Sequence, residues 1–348
     1  MRYRPLGGTG IQVSAYCLGT MMFGAIGNTD RAACARIVHT ALDAGINLVD
    51  TADMYSAGEA EQILGEALGA RRDDVVLATK AHFPMGEDRN RRGNSRRWLT
   101  RAVEESLRRL GTDWIDLYQV HRPDPATEIE ETLGALTDLV RQGKIRAFGC
   151  SSFPAWQVAD AHRIAEQRGH HRFRTEQPPY SILARGIERE LLPAARHYGM
   201  GVLTWSPLAF GFLTGRRAAA GEQPGARAAL TPARFDPTLP ENAAKFTAAA
   251  QLADLAEELG RDLPHLAVAF AAAHPDVTSV ILGPRTPEQL EHLLAGSDLL
   301  LDDDTLDRID AIAPPGIDLF RADSAWQPPE LTTPALRRLP PAERAVSP

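Results

Sequence analysis

Residues 46–55, INLVDTADMY, contain an apolar run that ends at Asp50 and is followed by Tyr55. Two later apolar runs end in the same way, one at Lys80 and one at His121. Short apolar runs are typical of buried strands, and parallel α/β proteins build their active sites at the carboxyl ends of such strands. A carboxylate, a phenol, an amine and an imidazole at one edge can transfer protons together.

Strand-like and helix-like segments alternate along the rest of the chain. Short apolar runs predict eight strands, at residues 13–19, 46–50, 75–79, 114–120, 145–150, 173–177, 202–205 and 279–282. Apolar residues recur at helical spacing in residues 31–44, 60–69, 95–110, 128–142, 155–167, 188–198, 243–259, 263–273 and 287–294. This alternation predicts a parallel sheet with helical crossovers. Eight such units favour a closed (β/α)8 TIM barrel over an open doubly wound sheet.

Helix-boundary residues and an N-terminal turn agree with this pattern. Asp30 and Asn94 are predicted N-caps, and Gly45 is predicted to end the first helix. Pro154 fits the first position of its helix, where the missing N–H costs nothing. Residues 7–10 (GGTG) precede the first barrel strand, so they predict a hairpin turn. A dinucleotide-binding fingerprint would instead follow a strand.

Two long predicted loops interrupt the regular spacing, at residues 81–92 after the third strand and 209–241 after the seventh. Long loops after barrel strands commonly shape substrate pockets. Five arginines lie within residues 89–97. They fit either a solvated surface or a patch that attracts an anionic substrate or a cofactor phosphate.

The C-terminal segment is rich in proline and arginine and has no strand or helix pattern. We therefore expect one barrel domain over residues 1–313, followed by an extended tail over residues 314–348. Phe320 and Trp326 in this tail could cap a pocket or pack on the surface.

The composition excludes several classes of protein. The chain has 348 residues and a formal charge of −7, so no basic field favours nucleic acid. Three cysteines without a CxxC pair indicate a reducing compartment and argue against a disulfide framework or a zinc site, and no metal is expected. No segment predicts a signal peptide or a membrane span. We expect a cytoplasmic protein that acts without a membrane or nucleic-acid partner; its oligomeric state stays open.

Asp50, Tyr55, Lys80 and His121 form a coherent proton-transfer group. An ammonium beside a phenol favours the phenolate, and a carboxylate keeps that ammonium charged and oriented. An imidazole can hydrogen-bond the same substrate oxygen. Each residue alone also fits a structural role, such as a surface lysine or a histidine in the barrel wall. Four matching polar residues at neighbouring strand ends make coincidence a weaker explanation.

Several stretches resemble signature motifs of the aldo-keto reductase superfamily. They are residues 49–55 (VDTADMY), 78–80 (ATK) and 116–121 (DLYQVH), with further similarity at 6–10 and 18–21. The resemblance extends from Arg2 to about Ile312, nearly the whole chain. It implies a (β/α)8 barrel that reduces aldehydes or ketones with a nicotinamide cofactor. By the same resemblance, Tyr55 is the general acid, Lys80 and Asp50 tune it, and His121 orients the carbonyl.

The resemblance also implies a binding site for NADPH. The matching residues are Gly19, Thr20, Met21, Asp50, Ser151, Ser152, Gln177, Trp205, Ser206, Pro207, Leu208, Gly211, Leu213, Gly283, Arg285 and Gln289. Ser151 and Gln177 match carboxamide ligands, and Trp205 matches the aromatic ring that stacks on the nicotinamide. Arg285 matches a residue that clasps the 2′-phosphate, which NADH lacks; a rim salt bridge is its alternative role.

Two positions depart from the family pattern. Ser152 stands where the family has an asparagine that holds the carboxamide, and Leu293 stands where an asparagine often meets adenine. We expect one carboxamide contact and the adenine contact to differ accordingly.

The sequence is compatible with three functions. The first is an NADPH-dependent reductase of a small carbonyl substrate, and the second is a slow or non-catalytic NADPH-binding subunit that senses redox state for a larger assembly. The third is a Schiff-base lyase that uses Lys80 as nucleophile, although the cofactor-like residues would then have no role. Phe23, Met54, Phe83 and Trp205 indicate an apolar pocket but do not identify the substrate.

Overall fold

Eight parallel strands form a closed barrel, preceded by a two-stranded hairpin. The computed structural model describes residues 1–215, 231–324, 327, 329–340 and 344. Its strands are β1 (Tyr3–Pro5), β2 (Gln12–Ser14), β3 (Tyr16–Gly19), β4 (Leu48–Asp50), β5 (Val76–Ala81), β6 (Ile115–Val120), β7 (Ile145–Cys150), β8 (Thr175–Glu176), β9 (Gly201–Thr204) and β10 (Ser279–Leu282). The barrel order is β10-β3-β4-β5-β6-β7-β8-β9, so the prediction of a (β/α)8 barrel is confirmed.

Helices surround the barrel and follow its strands in the chain. They are α1 (Arg31–Asp43), α2 (Glu59–Leu68), α3 (Arg96–Leu110), α4 (Ile129–Arg141), α5 (Ala155–Arg168), α6 (Leu191–His197), α7 (Ala243–Glu258), α8 (Leu263–Ala273), α9 (Pro287–Ala295), α10 (Asp303–Ile312) and α11 (Pro329–Thr332). Within the described chain, none of them combines the length and the apolar character that crossing a bilayer would require.

The N-terminal hairpin closes the end of the barrel opposite the strand carboxyl ends. β1 and β2 pair antiparallel, as the turn at residues 7–10 predicts. Leu6 and Val13 are fully buried and pack with inward-facing residues of the barrel strands. The hairpin therefore supplies the bottom layer of the barrel core.

Several predicted boundaries need correction. The predicted strand at 13–19 is two strands, because Val13 pairs with β1 while Cys17 pairs with β4. The N-cap of α3 is Ser95, whose hydroxyl accepts from the Trp98 N–H at 3.3 Å, and not Asn94. Pro154 is the N-cap of α5 instead of its first helical residue. Helix α10, which Asp302 caps, was not predicted.

The first part of the C-terminal segment docks on the barrel domain. The backbone of Leu319 donates to Leu183 at 3.0 Å, and Asp318 accepts from the Gly186 N–H at 2.7 Å. Lys245 of α7 contacts Asp323 at 2.6 Å, and both side chains are buried. The predicted division into residues 1–313 and 314–348 stays a prediction. Trp326 and residues 216–230 of the second long loop lie outside the described residues.

Gly7 provides a test of how the N-terminal hairpin packs against the end of the barrel. Its φ is +54°, and a Cβ there would lie 2.5 Å from the Arg174 carbonyl oxygen, so backbone would have to move. We expect Gly7→Ala to lower the free energy of unfolding by about 1–3 kcal/mol, measured by urea denaturation. The neighbouring Gly8→Ala is the matched control, because a Cβ there meets only ordinary contacts at 3.5 Å or more. Equal stability of the two variants would contradict this role of Gly7.

Candidate active site

A buried lysine links the carboxylate and the phenol of the predicted catalytic group. Asp50 ends β4 and Lys80 lies near the end of the adjacent β5, so parallel pairing brings them side by side. The Lys80 ammonium donates to Asp50 Oδ2 at 2.7 Å, to the Thr51 carbonyl at 2.6 Å and to the Tyr55 hydroxyl at 3.4 Å. These three bonds match the three N–H donors of an ammonium. Lys80 has no solvent exposure.

The charge state of Lys80 follows from this geometry. Burial alone lowers the pKa of Lys80, but attraction to Asp50 and then to Tyr55 outweighs burial, so its pKa lies above the ordinary lysine value. The ammonium therefore stays protonated near neutral pH. A fixed positive charge beside the Tyr55 oxygen stabilises negative charge that develops on that oxygen.

His121 lies beside Tyr55. Their rings meet edge to face with centroids 6.0 Å apart, and Phe83 packs edge to face on His121 at 4.9 Å. Burial, then the positive charges of Lys80 and Arg122, hold the pKa of His121 well below its usual range. The imidazole is therefore neutral. Among the described residues, none hydrogen-bonds its buried Nδ1.

Gln177 connects the predicted cofactor site to the catalytic group. Its side-chain amide donates to Asp50 Oδ1 at 2.9 Å. Its backbone carbonyl oxygen accepts from the Ser151 hydroxyl at 2.8 Å and from the Trp205 indole N–H at 3.2 Å. Ser151, Gln177 and Trp205 thus lie together at the carboxyl ends of β7, β8 and β9. The predicted carboxamide site is one connected group.

Ser152 adopts a backbone conformation that is uncommon for serine. Its φ is +59°, in the left-handed region that asparagine tolerates better than most residues. The side chain is buried, and within the described structure its hydroxyl has no hydrogen-bond partner. A buried, unpaired hydroxyl at this point is a feature that a bound polar group would satisfy.

The segment after β9 has an unusual concentration of left-handed backbone. Ser206, Ala209 and Phe210 have φ values of 62°, 48° and 60°, and Gly211 has 111°. The Phe210 N–H donates to the Ser206 hydroxyl at 3.0 Å, which fixes the turn. Strained backbone of this kind is typical of ligand-binding turns. Pro207 and Leu208 lie within the same turn, whereas Leu213 is fully buried and belongs to the hydrophobic core.

The remaining predicted cofactor residues lie around two further strand ends. Gly19 pairs with Asp50 in the sheet, and the Thr20 hydroxyl donates to the Asp50 carbonyl at 3.2 Å, with Met21 next in the chain. After β10, Gln289 accepts from the Arg285 backbone N–H at 2.8 Å, in the turn that begins at Gly283. Arg285 is exposed, and no carboxylate of the described residues forms a salt bridge with it.

The arginines of residues 89–97 divide between two environments. Arg91 pairs with Glu105 at 2.7 Å, and Arg96 pairs with Asp138 at 2.5 Å. Arg91 joins the loop to α3, and Arg96 joins α3 to α4, which favours the structural interpretation for both. Arg89, Arg92 and Arg97 are exposed.

Two charged residues beside the site, Arg122 and Glu176, were not predicted from the sequence. Arg122 donates to the His121 carbonyl at 2.6 Å and reaches the Ser151 hydroxyl at 3.4 Å. Glu176, which precedes Gln177, is fully buried and accepts from the Phe153 N–H at 3.1 Å, so it holds the turn that carries Ser152. Their positions directly after His121 and directly before Gln177 were the available signals.

Burial raises the pKa of Glu176 to about 7, although hydrogen bonds from Cys150 and from the Phe153 backbone oppose the rise. Because the folded state binds this proton more tightly than the unfolded state, folding stability falls as pH rises from about 4.5 to about 7.

We expect Glu176→Gln to remove this pH-dependent loss of folding stability. The variant should match the wild type at pH 4.5 and exceed it by about 3 kcal/mol at pH 8, measured by urea denaturation. Glu166→Gln, at an exposed position of α5, is the control. A stability difference that does not change with pH would contradict this assignment.

Comparison with known proteins places the chain in a family. The profile of the "Aldo/keto reductase family" matches residues 15–314. The chain is 39% identical over 327 residues to "Uncharacterized oxidoreductase YrpG" of Bacillus subtilis (strain 168), covering 90% of this chain and 96% of that protein. It is 36% identical over 298 residues to "Aldo-keto reductase YhdN" of the same organism, covering 84% and 88%.

A second kind of relative is also similar. The chain is 35% identical over 321 residues to "Probable voltage-gated potassium channel subunit beta" of Oryza sativa subsp. japonica, covering 90% of this chain and 96% of that protein. The family profile, the extent of these alignments and the closed barrel agree with the resemblance that the motifs indicated. The chain belongs to the aldo/keto reductase family of oxidoreductases.

Proposed function

We propose that the protein reduces an aldehyde or ketone to an alcohol with NADPH, and that Tyr55 is the general acid. The observation that carries this proposal is the contact chain from Asp50 through Lys80 to the Tyr55 hydroxyl, at 2.7 Å and 3.4 Å. The neutral imidazole of His121 beside Tyr55 supplies a second polar group for the same substrate oxygen.

Tyr55 and Lys80 serve the proton transfer of this reaction, and His121 orients the carbonyl group. When bound, the reduced nicotinamide supplies the hydride that the carbonyl carbon accepts. Tyr55 donates its hydroxyl proton to the carbonyl oxygen as negative charge develops there, and the alcohol results. The Lys80 ammonium stabilises the phenolate left on Tyr55 until a proton from solvent restores it. A nitrogen of His121 hydrogen-bonds the carbonyl oxygen and fixes its direction.

The residues present fit a nicotinamide dinucleotide phosphate. Ser151, Gln177 and the unpaired hydroxyl of Ser152 would hold the carboxamide, and Trp205 would pack on the nicotinamide ring. The left-handed turn of residues 206–211 would lie beside the pyrophosphate. Its Ala209, Phe210 and Gly211 N–H groups donate within the turn, so Ser206 and Leu208 would supply the backbone donors. Arg285 and Gln289 would meet the 2′-phosphate side. An exposed guanidinium without a carboxylate partner in the described chain supports a preference for NADPH over NADH.

A second candidate is a cofactor-binding subunit with slow turnover, which we weigh because some relatives are named potassium channel beta subunits. Such a protein would bind NADPH tightly yet show little multiple turnover on any carbonyl compound. Steady-state assays over a broad carbonyl panel, together with a search for a bound partner, separate the two candidates. The Schiff-base alternative is weaker, because Asp50 and Tyr55 keep Lys80 protonated and a protonated amine is not a nucleophile.

Replacing the proposed acid tests the mechanism. We expect Tyr55→Phe to lower kcat/KM for carbonyl reduction by about 100-fold or more, because the proton donor is lost while the ring remains. NADPH affinity, measured by fluorescence titration, should stay within about threefold of the wild type. Tyr198→Phe, which alters a tyrosine stacked on His162 away from the catalytic group, is the control. Full turnover by Tyr55→Phe would refute the assignment.

Arg285 tests the choice of cofactor. We expect Arg285→Ala to weaken NADPH binding at least about tenfold, because a charge-assisted phosphate contact is lost, while NADH binding changes less than about twofold. Isothermal titration with each cofactor measures both constants. Arg163→Ala, at an exposed arginine of α5 that pairs with Asp160, is the control. Equal losses for NADPH and NADH would mean that Arg285 does not contact the 2′-phosphate.

A further inference from the structure

We propose that Asp262, His265 and His292 form a binding site for a divalent transition-metal ion, with Zn²⁺ as the best match. One ligand atom from each residue lies within 4.8 Å of the other two. The three residues come from two neighbouring helices: Asp262 and His265 from the start of α8, and His292 from α9. This site is separate from the proposed proton-transfer group and revises the expectation that the protein binds no metal.

The orientation of His265 is already that of a metal ligand. Its Nε2 lies 2.6 Å from the backbone carbonyl oxygen of His292, and since a carbonyl only accepts, this nitrogen carries the proton. The Nδ1 of the neutral ring then has its lone pair available. Metal-binding histidines commonly donate their other ring N–H to a backbone carbonyl in this way, which fixes the ring tautomer and direction.

Both histidine rings place a nitrogen near the Asp262 carboxylate. Asp262 Oδ2 lies 3.9 Å from His265 Nδ1 and 3.7 Å from His292 Nε2. Asp262 occupies the N-cap position of α8, but its carboxylate makes no capping hydrogen bond. Ligand atoms of a tetrahedral Zn²⁺ site stand roughly 3.3 Å apart, so the three atoms, which lie within 4.8 Å of one another, must move together by up to about 1.5 Å. Rotation of the exposed Asp262 and His292 side chains can provide this movement.

The donor set decides the class of ion. Two imidazole nitrogens and one carboxylate oxygen suit Zn²⁺ and neighbouring transition metals, whereas Mg²⁺ and Ca²⁺ prefer oxygen ligands alone. Three protein ligands leave one tetrahedral position for water. The three cysteines of the chain are all buried elsewhere, so they do not compete for added metal on the folded surface.

Gly296 is a second feature that keeps this cluster together. It is the C-cap of α9, and a Cβ at this position would lie 2.4 Å from Cγ of His265. Only glycine therefore lets the His265 ring lie against the end of α9. A bound ion would join α8 to α9, the two helices that precede and follow β10.

Zinc titration tests the proposal directly. After chelator treatment, the untagged full-length protein is titrated with ZnCl₂ by calorimetry, and we expect saturable binding of one ion per chain. His292→Ala and Asp262→Asn, both at exposed side chains, should each weaken binding at least about tenfold. Gly296→Ala keeps all three ligands but displaces His265, so it should also weaken binding. Thermal melting should show a Zn²⁺-induced increase in Tm that these variants lose.

His171→Ala is the matched control, because it removes an exposed histidine outside the cluster. It should bind Zn²⁺ as the wild type does. Binding that does not saturate near one ion per chain would overturn the proposal. So would unchanged affinity in both His292→Ala and Asp262→Asn. Neither result depends on carbonyl reduction or on NADPH, so this test is independent of the proposed function.

Discussion

The contact between Asp50 and Lys80 is the interaction on which the rest of the site depends. A lysine without solvent exposure would lose its charge unless a carboxylate compensated it. Asp50 does so with one oxygen and accepts from Gln177 with the other, so one carboxylate connects the ends of β4, β5 and β8 across the barrel mouth. Removing either partner of such a buried pair leaves an uncompensated charge, at a cost of about 3–5 kcal/mol.

The barrel makes this arrangement possible because it fixes the strand register. Asp50 lies opposite Ala78 in the β4–β5 pair, and Lys80 lies opposite Gln119 in the β5–β6 pair. His121 directly follows β6, the strand next to the one that carries Lys80. The hairpin residues Leu6 and Val13 fill the opposite end of the barrel. Polar groups gather at the open end, where the sheet ends and side chains can turn toward a ligand. The left-handed turn after β9 and the unpaired Ser152 hydroxyl lie at the same end.

Sequence reasoning predicted those parts of the molecule that repeat a simple pattern. The eight strands follow from short apolar runs, and the hairpin follows from the glycine-rich turn at residues 7–10. Asp50, Lys80 and His121 end such runs, and Tyr55 follows one of them. Prediction failed where two adjacent residues could both cap the same helix. Asn94 and Ser95 are both good caps, and the structure uses Ser95 because Asn94 bonds to His82 and to the Arg122 carbonyl. Helix α10 follows the eighth strand–helix unit, where the repeating pattern had already ended, and it was not predicted.

Other features depend on contacts that one sequence does not reveal. Glu176 is a charged residue near the end of a predicted strand, yet the fold buries it completely. The cluster of Asp262, His265 and His292 joins residues 30 positions apart on two helices, and the periodicity of either helix gives no sign of it. The cofactor residues assigned by resemblance stay predictions, although most of them lie together around the barrel mouth.

The measurement that tests the central claim most directly is a double-mutant cycle between Tyr55 and Lys80. Single-turnover rates of carbonyl reduction with saturating NADPH are compared for the wild type, Tyr55→Phe, Lys80→Met and the double variant. If Lys80 acts through the Tyr55 oxygen, its replacement costs nothing further once that oxygen is gone, and the double variant is about as slow as Tyr55→Phe alone. Losses that multiply in the double variant would show that the two residues act independently and would contradict the account.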